Sequence, residues 1–260
     1  MLLENKVAVI YGAGGAIGGA VARAFAREGA RLFVTGRVRA PVDALVRDIV
    51  AAGGAAEAAT IDALDEDAID KHLGYVAGAA GRIDISFNGI GIPDQTVLGP
   101  LLDLDAARFM LPIASYTTSY FLTARLAARR MVAQRSGVIM TVSALPARSG
   151  VAGNGGYGPA MAAREAMTRD LSAELAPSGV RVVCLRPHGM PETQTMRDVH
   201  ETKMASLPYE QFVAFLAGST HPKRALRLDE FANVAAFAAA DRASGLTGTT
   251  INLTMGSLDD

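Results

Sequence analysis

The chain has 260 residues, 50% of them hydrophobic and 20% charged, with 25 Lys plus Arg against 26 Asp plus Glu. The net charge of −1 lacks the basic excess of nucleic-acid-binding domains, which argues against nucleic acid as the main partner. A single cysteine, Cys184, excludes an intrachain disulfide and argues against a thiolate zinc cluster.

Residues 1–6 lack the charged start and apolar core of a signal peptide, and no apolar run approaches the ~20 residues that span a bilayer. The expectation is a cytoplasmic protein with no membrane partner. His72, His200 and His221 are scattered, so no metal site is expected. The basic residues divide unevenly, 21 Arg against four Lys (Lys6, Lys71, Lys203 and Lys223).

Short β-branched runs alternate with Ala-rich amphipathic stretches. In chain order the expected strands are 6–11, 31–35, 56–61, 83–88, 138–143, 181–185 and 250–253. Helices are expected at 16–28, 41–52, 65–80, 103–133, 158–176 and 229–240. Such alternation implies parallel strands joined by crossover helices, an α/β fold. Strands as continuously apolar as Val7-Ala8-Val9-Ile10 suit a sheet covered on both faces. No linker divides the chain, so a single domain over 1–260 is expected. The polar, proline-bearing stretch at about 190–226 reads either as a lid-like insertion or as a docked surface excursion.

The first strand runs into Gly12-Ala13-Gly14-Gly15-Ala16-Ile17-Gly18. Glycines between a strand and a helix let backbone approach a phosphate, which the helix N-terminus then attracts with free N–H groups. Ile17 stands where G-x-G-x-x-G has its third glycine, and no Lys-Ser/Thr pair follows Gly18, so a mononucleotide-hydrolase loop is not supported. A tight turn with close strand–helix packing is the other reading of the same glycines. After the second strand, Gly36 takes the place of a ribose-binding carboxylate, and Arg37 and Arg39 offer cations for a 2′-phosphate. This favours NADP, with NAD as the alternative, unless the arginines merely solvate a loop.

With these features the chain resembles the short-chain dehydrogenase/reductase superfamily over nearly all of Lys6 to Gly256. The turn is similar to that family's T-G-x-x-x-G-x-G, with Tyr11 for Thr and Ala16 for the middle Gly. Asn88-Gly89-Ile90-Gly91 resembles N-N-A-G, and Pro187-His188-Gly189 resembles the P-G that follows the sixth strand. The resemblance implies a Rossmann-type, doubly wound, seven-stranded sheet of order 3-2-1-4-5-6-7, with helices on both faces. It implies a nicotinamide cofactor held by Gly12, Gly14, Gly15, Ala16, Ile17, Gly18, Arg37, Asp62, Ala63, Asn88, Gly89, Tyr157, Pro187 and Gly189. The usual assembly is a homodimer or homotetramer.

The family uses an Asn-Ser-Tyr-Lys tetrad. Tyr157 matches its tyrosine, with the register fixed by Thr168-Arg169 and Leu171 downstream. The lysine position, four residues later, holds Met161; the serine position, thirteen residues earlier, holds Ala144. The asparagine falls on or next to Tyr116, after a Pro112 expected to perturb the helix start. Only Tyr157 is retained. A phenol with pKa ~10 is about 0.1% ionised at pH 7, and a cation within a few Å lowers that pKa by roughly 1–3 units; Met161 cannot do so. Arg164, on the same helix face, reads either as a substitute cation or as a surface or interface arginine. Ser143 can replace the lost hydroxyl only if the strand end twists, because neighbours face opposite sides. His188 is a candidate acid or base where the family backbone touches the nicotinamide.

Three readings follow. The chain is a divergent NADP(H)-dependent oxidoreductase acting on an unidentified small-molecule carbonyl or alcohol, with Tyr157 as proton donor and Ser143 or His188 assisting. Alternatively it is a pseudoenzyme that binds nucleotide or a partner subunit without hydride transfer. The third reading is a non-redox lyase or isomerase using Tyr157 and His188.

Overall fold

The computed structural model of the protein describes residues 1–93 and 98–259. Seven parallel strands form one sheet in the order β3-β2-β1-β4-β5-β6-β7. They are β1 (Val7–Tyr11), β2 (Arg31–Gly36), β3 (Ala55–Thr60), β4 (Ile85–Asn88), β5 (Gly137–Val142), β6 (Val180–Pro187) and β7 (Thr249–Leu253). Crossovers α1 (Ala16–Arg27), α2 (Arg39–Ala51) and α8 (Leu228–Ala239) build one layer. Helices α3 (Glu66–Ala80), α4 (Ala106–Gln134) and α5 (Tyr157–Leu175) build the other.

Strand alternation divides the core between these layers. Ile10, Phe87, Met140 and Leu185 face Val21, Phe25 and Phe231 on one side. Val9, Ile139 and Val182 face Ile69, Leu73 and Met131 on the other. All are buried, and fully burying each such side chain contributes about 1.5–3 kcal/mol. Both faces are covered, which is why these strands read as unbroken apolar runs rather than alternating ones.

The helix starts are set by capping. Asp65 accepts from the Ala68 amide at 3.0 Å, and Asp105 accepts from the Arg108 amide at 2.7 Å. The latter cap moves the start of α4 to Ala106, while Leu101–Asp103 forms a separate 3₁₀ turn. Pro112 lies inside α4 and does not delay it. The residue preceding α5, Gly156, packs on this stretch: a Cβ there would lie 2.0 Å from the Phe109 carbonyl oxygen and 3.0 Å from Pro112 Cγ. A glycine at 156 therefore lets Tyr157 begin its helix against α4.

The stretch expected to be an irregular insertion contains two helices, α6 (Gln194–Lys203) and α7 (Tyr209–Gly218). Thr193 caps α6 by accepting from the Met196 amide at 3.3 Å. The His200 ring joins the pair, with centroids 5.2 Å from Tyr209 and 5.4 Å from Phe212. Polar spacing hides α6 because none of its residues is buried. The Lys203 ammonium donates to the Ala152 carbonyl at 2.9 Å and to the Asn154 side chain, tying α6 to the loop after β5. Among the described residues no helix is long and apolar enough to cross a membrane.

Candidate active site

Gly12 sits at φ 76°, the left-handed region, and a Cβ there would lie 2.6 Å from the Gly89 carbonyl oxygen. A Cβ on Gly18 would lie 2.4 Å from the Gly12 carbonyl oxygen. Both glycines are therefore demanded by backbone approaching backbone. Gly14 lies against Pro41, while Gly15 is the N-cap residue of α1 with no side-chain cap. Ala16 and Ile17 form the first turn, whose amide donors have no intrahelical acceptor. This cradle has the shape and dipole that a phosphate requires.

Gly12, Gly36, Arg37, Asp62, Ala63 and Ile92 line one cleft beside it. Asp62 accepts from the Leu64 amide at 3.0 Å, which fixes the turn after β3. Arg39 is engaged by Asp43 at 2.7 Å, whereas the exposed Arg37 makes no hydrogen bond or ion pair among the described residues. The residues present fit the adenosine half of a dinucleotide. Gly89 lies at the inner edge of the cradle; Pro187 ends β6 and Gly189 follows it, against Met196 and Leu216.

Tyr157 is half-buried at the first position of α5. The Tyr116 ring stands edge-on to it, with centroids 5.7 Å apart and planes at 71°. The Tyr116 phenol oxygen accepts from the Ile92 amide at 3.3 Å, which ties Tyr116 to a residue of the cleft wall. Met161 is buried with Tyr116, and Ala144, Ile92, Ile113 and Tyr157 pack on that cluster. The three replacements inferred from the register thus surround the retained tyrosine with apolar surface.

Arg164 is neither a surface nor, in this chain, an open interface residue: it is 1% exposed. It donates to the Val142 carbonyl at 2.7 Å, the Asn88 Oδ1 at 2.9 Å and the Tyr116 carbonyl at 3.4 Å. Its guanidinium carbon is 4.7 Å from the centre of the Tyr116 ring. Burial lowers its pKa, but a guanidinium remains charged at any ordinary pH. The other end of the Asn88 amide donates to Thr123 Oγ1 at 3.0 Å. The Asn88 side chain thus clamps β4 to α4 and α5, and its polar atoms face inward.

Ser143 does not turn toward Tyr157. It is buried, and its hydroxyl donates to Glu165 Oε1 at 2.7 Å. The same oxygen accepts from Arg186 Nε at 2.7 Å, and Oε2 accepts from Arg186 Nη2 at 2.8 Å. The strand end keeps its alternation, so Ser143 joins this inner ion pair while Ala144 lines the tyrosine site. Glu165 and Arg186 escaped the sequence reading. Their signal was the charge at position 186 directly after the apolar run Val182–Leu185 of β6, which burial obliges to find a partner.

The His188 imidazole points beneath α7: its Nε2 lies 2.9 Å from Ser219 Oγ and its Nδ1 3.5 Å from the Gly189 carbonyl. Burial holds its pKa below the usual histidine value. Cys184 is a core thiol, which burial pushes up to about 11. Among the described residues no group of three or more His, Cys, Asp or Glu could hold a metal ion.

A family model described as Enoyl-(Acyl carrier protein) reductase matches residues 12–257. The chain is 29% identical over 248 residues to a secoisolariciresinol dehydrogenase of Forsythia intermedia, covering 95% of this chain and 86% of that one. It is 31% identical over 247 residues to a cis-4-hydroxycyclohexanecarboxylate dehydrogenase of Sinomonas cyclohexanicum, covering 95% and 94%. Among solved structures, an NAD+-bound xylitol dehydrogenase superposes with a TM-score of 0.89 at 25% identity, covering 97% of this chain and 99% of that one.

Proposed function

Because the chain belongs to the short-chain dehydrogenase/reductase superfamily, whose members usually work with a nicotinamide cofactor, we propose that it interconverts a carbonyl and an alcohol using NADP(H), with Tyr157 as proton donor. The observation that carries this reading is Tyr157 itself, half-buried against Tyr116, whose phenol oxygen is tied to Ile92 in the wall of the cleft that Gly12 also lines.

The cradle residues Gly12 to Gly18 would hold the pyrophosphate, and Asp62 and Ala63 would border the adenine. Arg37 supports NADP over NAD because its guanidinium stands beside the cleft with no carboxylate of its own. When bound, a reduced nicotinamide supplies a hydride to the carbonyl carbon. Tyr157 gives its phenolic proton to the carbonyl oxygen and is left as phenolate, to be reprotonated from solvent. A phenol is mostly protonated at neutral pH, so most of the protein carries the acid that the reduction step uses. Ala144 offers no donor to the oxygen, and losing one such donor costs ~10²–10³ in rate.

A second reading is supported by Met161 and Ala144: a nucleotide-binding pseudoenzyme. The lyase reading loses support because the His188 ring is engaged by Ser219. Titration with NADPH, NADH, NADP and NAD by calorimetry, combined with turnover on a broad carbonyl panel, separates the cases. We expect NADPH to bind and to be oxidised, and Tyr157→Phe to lower turnover by about 10²–10⁴-fold. Binding without turnover would move the assignment to the pseudoenzyme; no binding of any nucleotide would defeat both.

A further inference from the structure

Burying a charge is expensive unless it is paired. The two charges of the Glu165–Arg186 pair meet that requirement, since each Glu165 oxygen accepts from Arg186. Arg164, the adjacent residue on α5, is equally buried but takes no carboxylate among the described residues. Its donors meet two carbonyl oxygens and an amide oxygen, which satisfy hydrogen bonds without cancelling the charge. The guanidinium instead lies over the Tyr116 ring, and that ring meets Tyr157 edge-on. A cation with no carboxylate partner among the described residues therefore lies under the Tyr116 ring, against which Tyr157 packs.

We propose that Arg164 is the positioning residue of this site, its guanidinium supplying from beneath the Tyr116–Tyr157 pair the positive charge that Met161 cannot. The inference rests on the reading of Tyr157 as proton donor. Tyr116 interacts electrostatically with Arg164 most strongly, followed by the Cys184 thiol and then by Tyr157 and Tyr120. An opposite charge within about 4–6 Å favours the ionised form of a group by about 1–3 pKa units; the Arg164 guanidinium carbon lies 4.7 Å from the Tyr116 ring centre, with the Tyr157 ring packed beyond it. The phenolate left after proton transfer is the species this charge stabilises. Arg164 reaches the pair from the protein interior, so it contributes charge and orientation without touching a bound nucleotide.

The chain has six tyrosines, which makes the test direct. Burial raises the Tyr11 and Tyr120 phenols, and the Glu57 hydrogen bond raises Tyr75. Any tyrosinate appearing early in an ultraviolet titration of the folded protein then belongs to Tyr116, Tyr157 or Tyr209. Titrating the wild type beside Tyr116→Phe and Tyr157→Phe assigns it. We expect at least one of the pair to ionise about 1–3 units below the ordinary phenol value. Arg164→Lys should retain that early step and Arg164→Met should abolish it, with the limb of the turnover–pH profile moving in parallel. Should Arg164→Met fail to fold, the single Phe variants still decide. If both phenols ionise at or above ~10 in the folded wild type, the proposal fails, whatever the turnover. An early tyrosinate that Arg164→Met abolishes, in a protein without turnover on any carbonyl, supports the charge but defeats the oxidoreductase reading.

Discussion

Arg37 and Arg39 are two residues apart and look equivalent in the sequence, yet only one remains available to a ligand. Arg39 closes an i,i+4 ion pair with Asp43 on α2, while Arg37 precedes the helix and faces the adenosine cleft. A charge-assisted hydrogen bond contributes about 1.5–3 kcal/mol, reduced here by solvent exposure. Arg37→Ala is therefore expected to weaken NADPH about tenfold and to leave NADH nearly unchanged, as calorimetric titration of both would reveal. Equal loss for the two nucleotides would show that the side chain supports the cleft and does not read a 2′-phosphate. At the same scale, the residues assigned from the register (Met161, Ala144 and Tyr116) do come together around Tyr157, because one helical turn and one strand end fix their spacing. Arg164 remained ambiguous, because no local pattern says what lies opposite a helix face.

Helix α5 carries two chemistries on adjacent positions. Arg164 turns toward β4 and α4, and Glu165 turns toward β5 and β6. Removing the Glu165 charge takes the carboxylate from Arg186, which is 2% exposed, and breaking a buried pair from one side costs about 3–5 kcal/mol. Glu165→Gln should lower the denaturant midpoint accordingly. The double variant Glu165→Met, Arg186→Leu should lose less, because it removes both charges of the pair together. A double variant as unstable as the single would mean that packing, not the charge, sets the cost. Elements with strong local periodicity were legible, down to α3 and α8. The exceptions have physical causes: α6 buries nothing and so has no apolar stripe, and α4 starts where Asp105 caps it, past the 3₁₀ turn.

At the scale of the whole molecule, two imidazoles are held below the usual histidine range in the fold. Burial lowers the pKa of His72, packed on Phe33, and of His188, held under α7. As pH falls, the unfolded chain takes up these protons first, near the ordinary histidine value of ~6.5. Their contribution is thus complete above that value and is lost progressively below it, toward the depressed folded values. Denaturant midpoints measured from about pH 7.5 to about pH 5 should decline for the wild type and decline less steeply for His188→Gln. Carboxylates enter only near pH ~4, below this window. A wild-type profile flat across it would contradict the assignment.

The order of strands along the chain, their burial on both faces and the glycine turn were determined by the sequence alone. Each depends on contacts between near neighbours: side-chain alternation, helical period and the backbone freedom of Gly12. The register of Tyr157 against Met161 belongs to the same class. The destinations of the buried charges belong to the tertiary structure. Arg164 meets Asn88 across 76 residues of chain, and Ser143 meets Glu165 across 22. Which groups face each other there follows from how α4, α5 and the strand ends pack, a geometry that no stretch of sequence contains. The scarcity of lysine left position 161 without a cation, and only the packed fold set an arginine beneath the tyrosine pair.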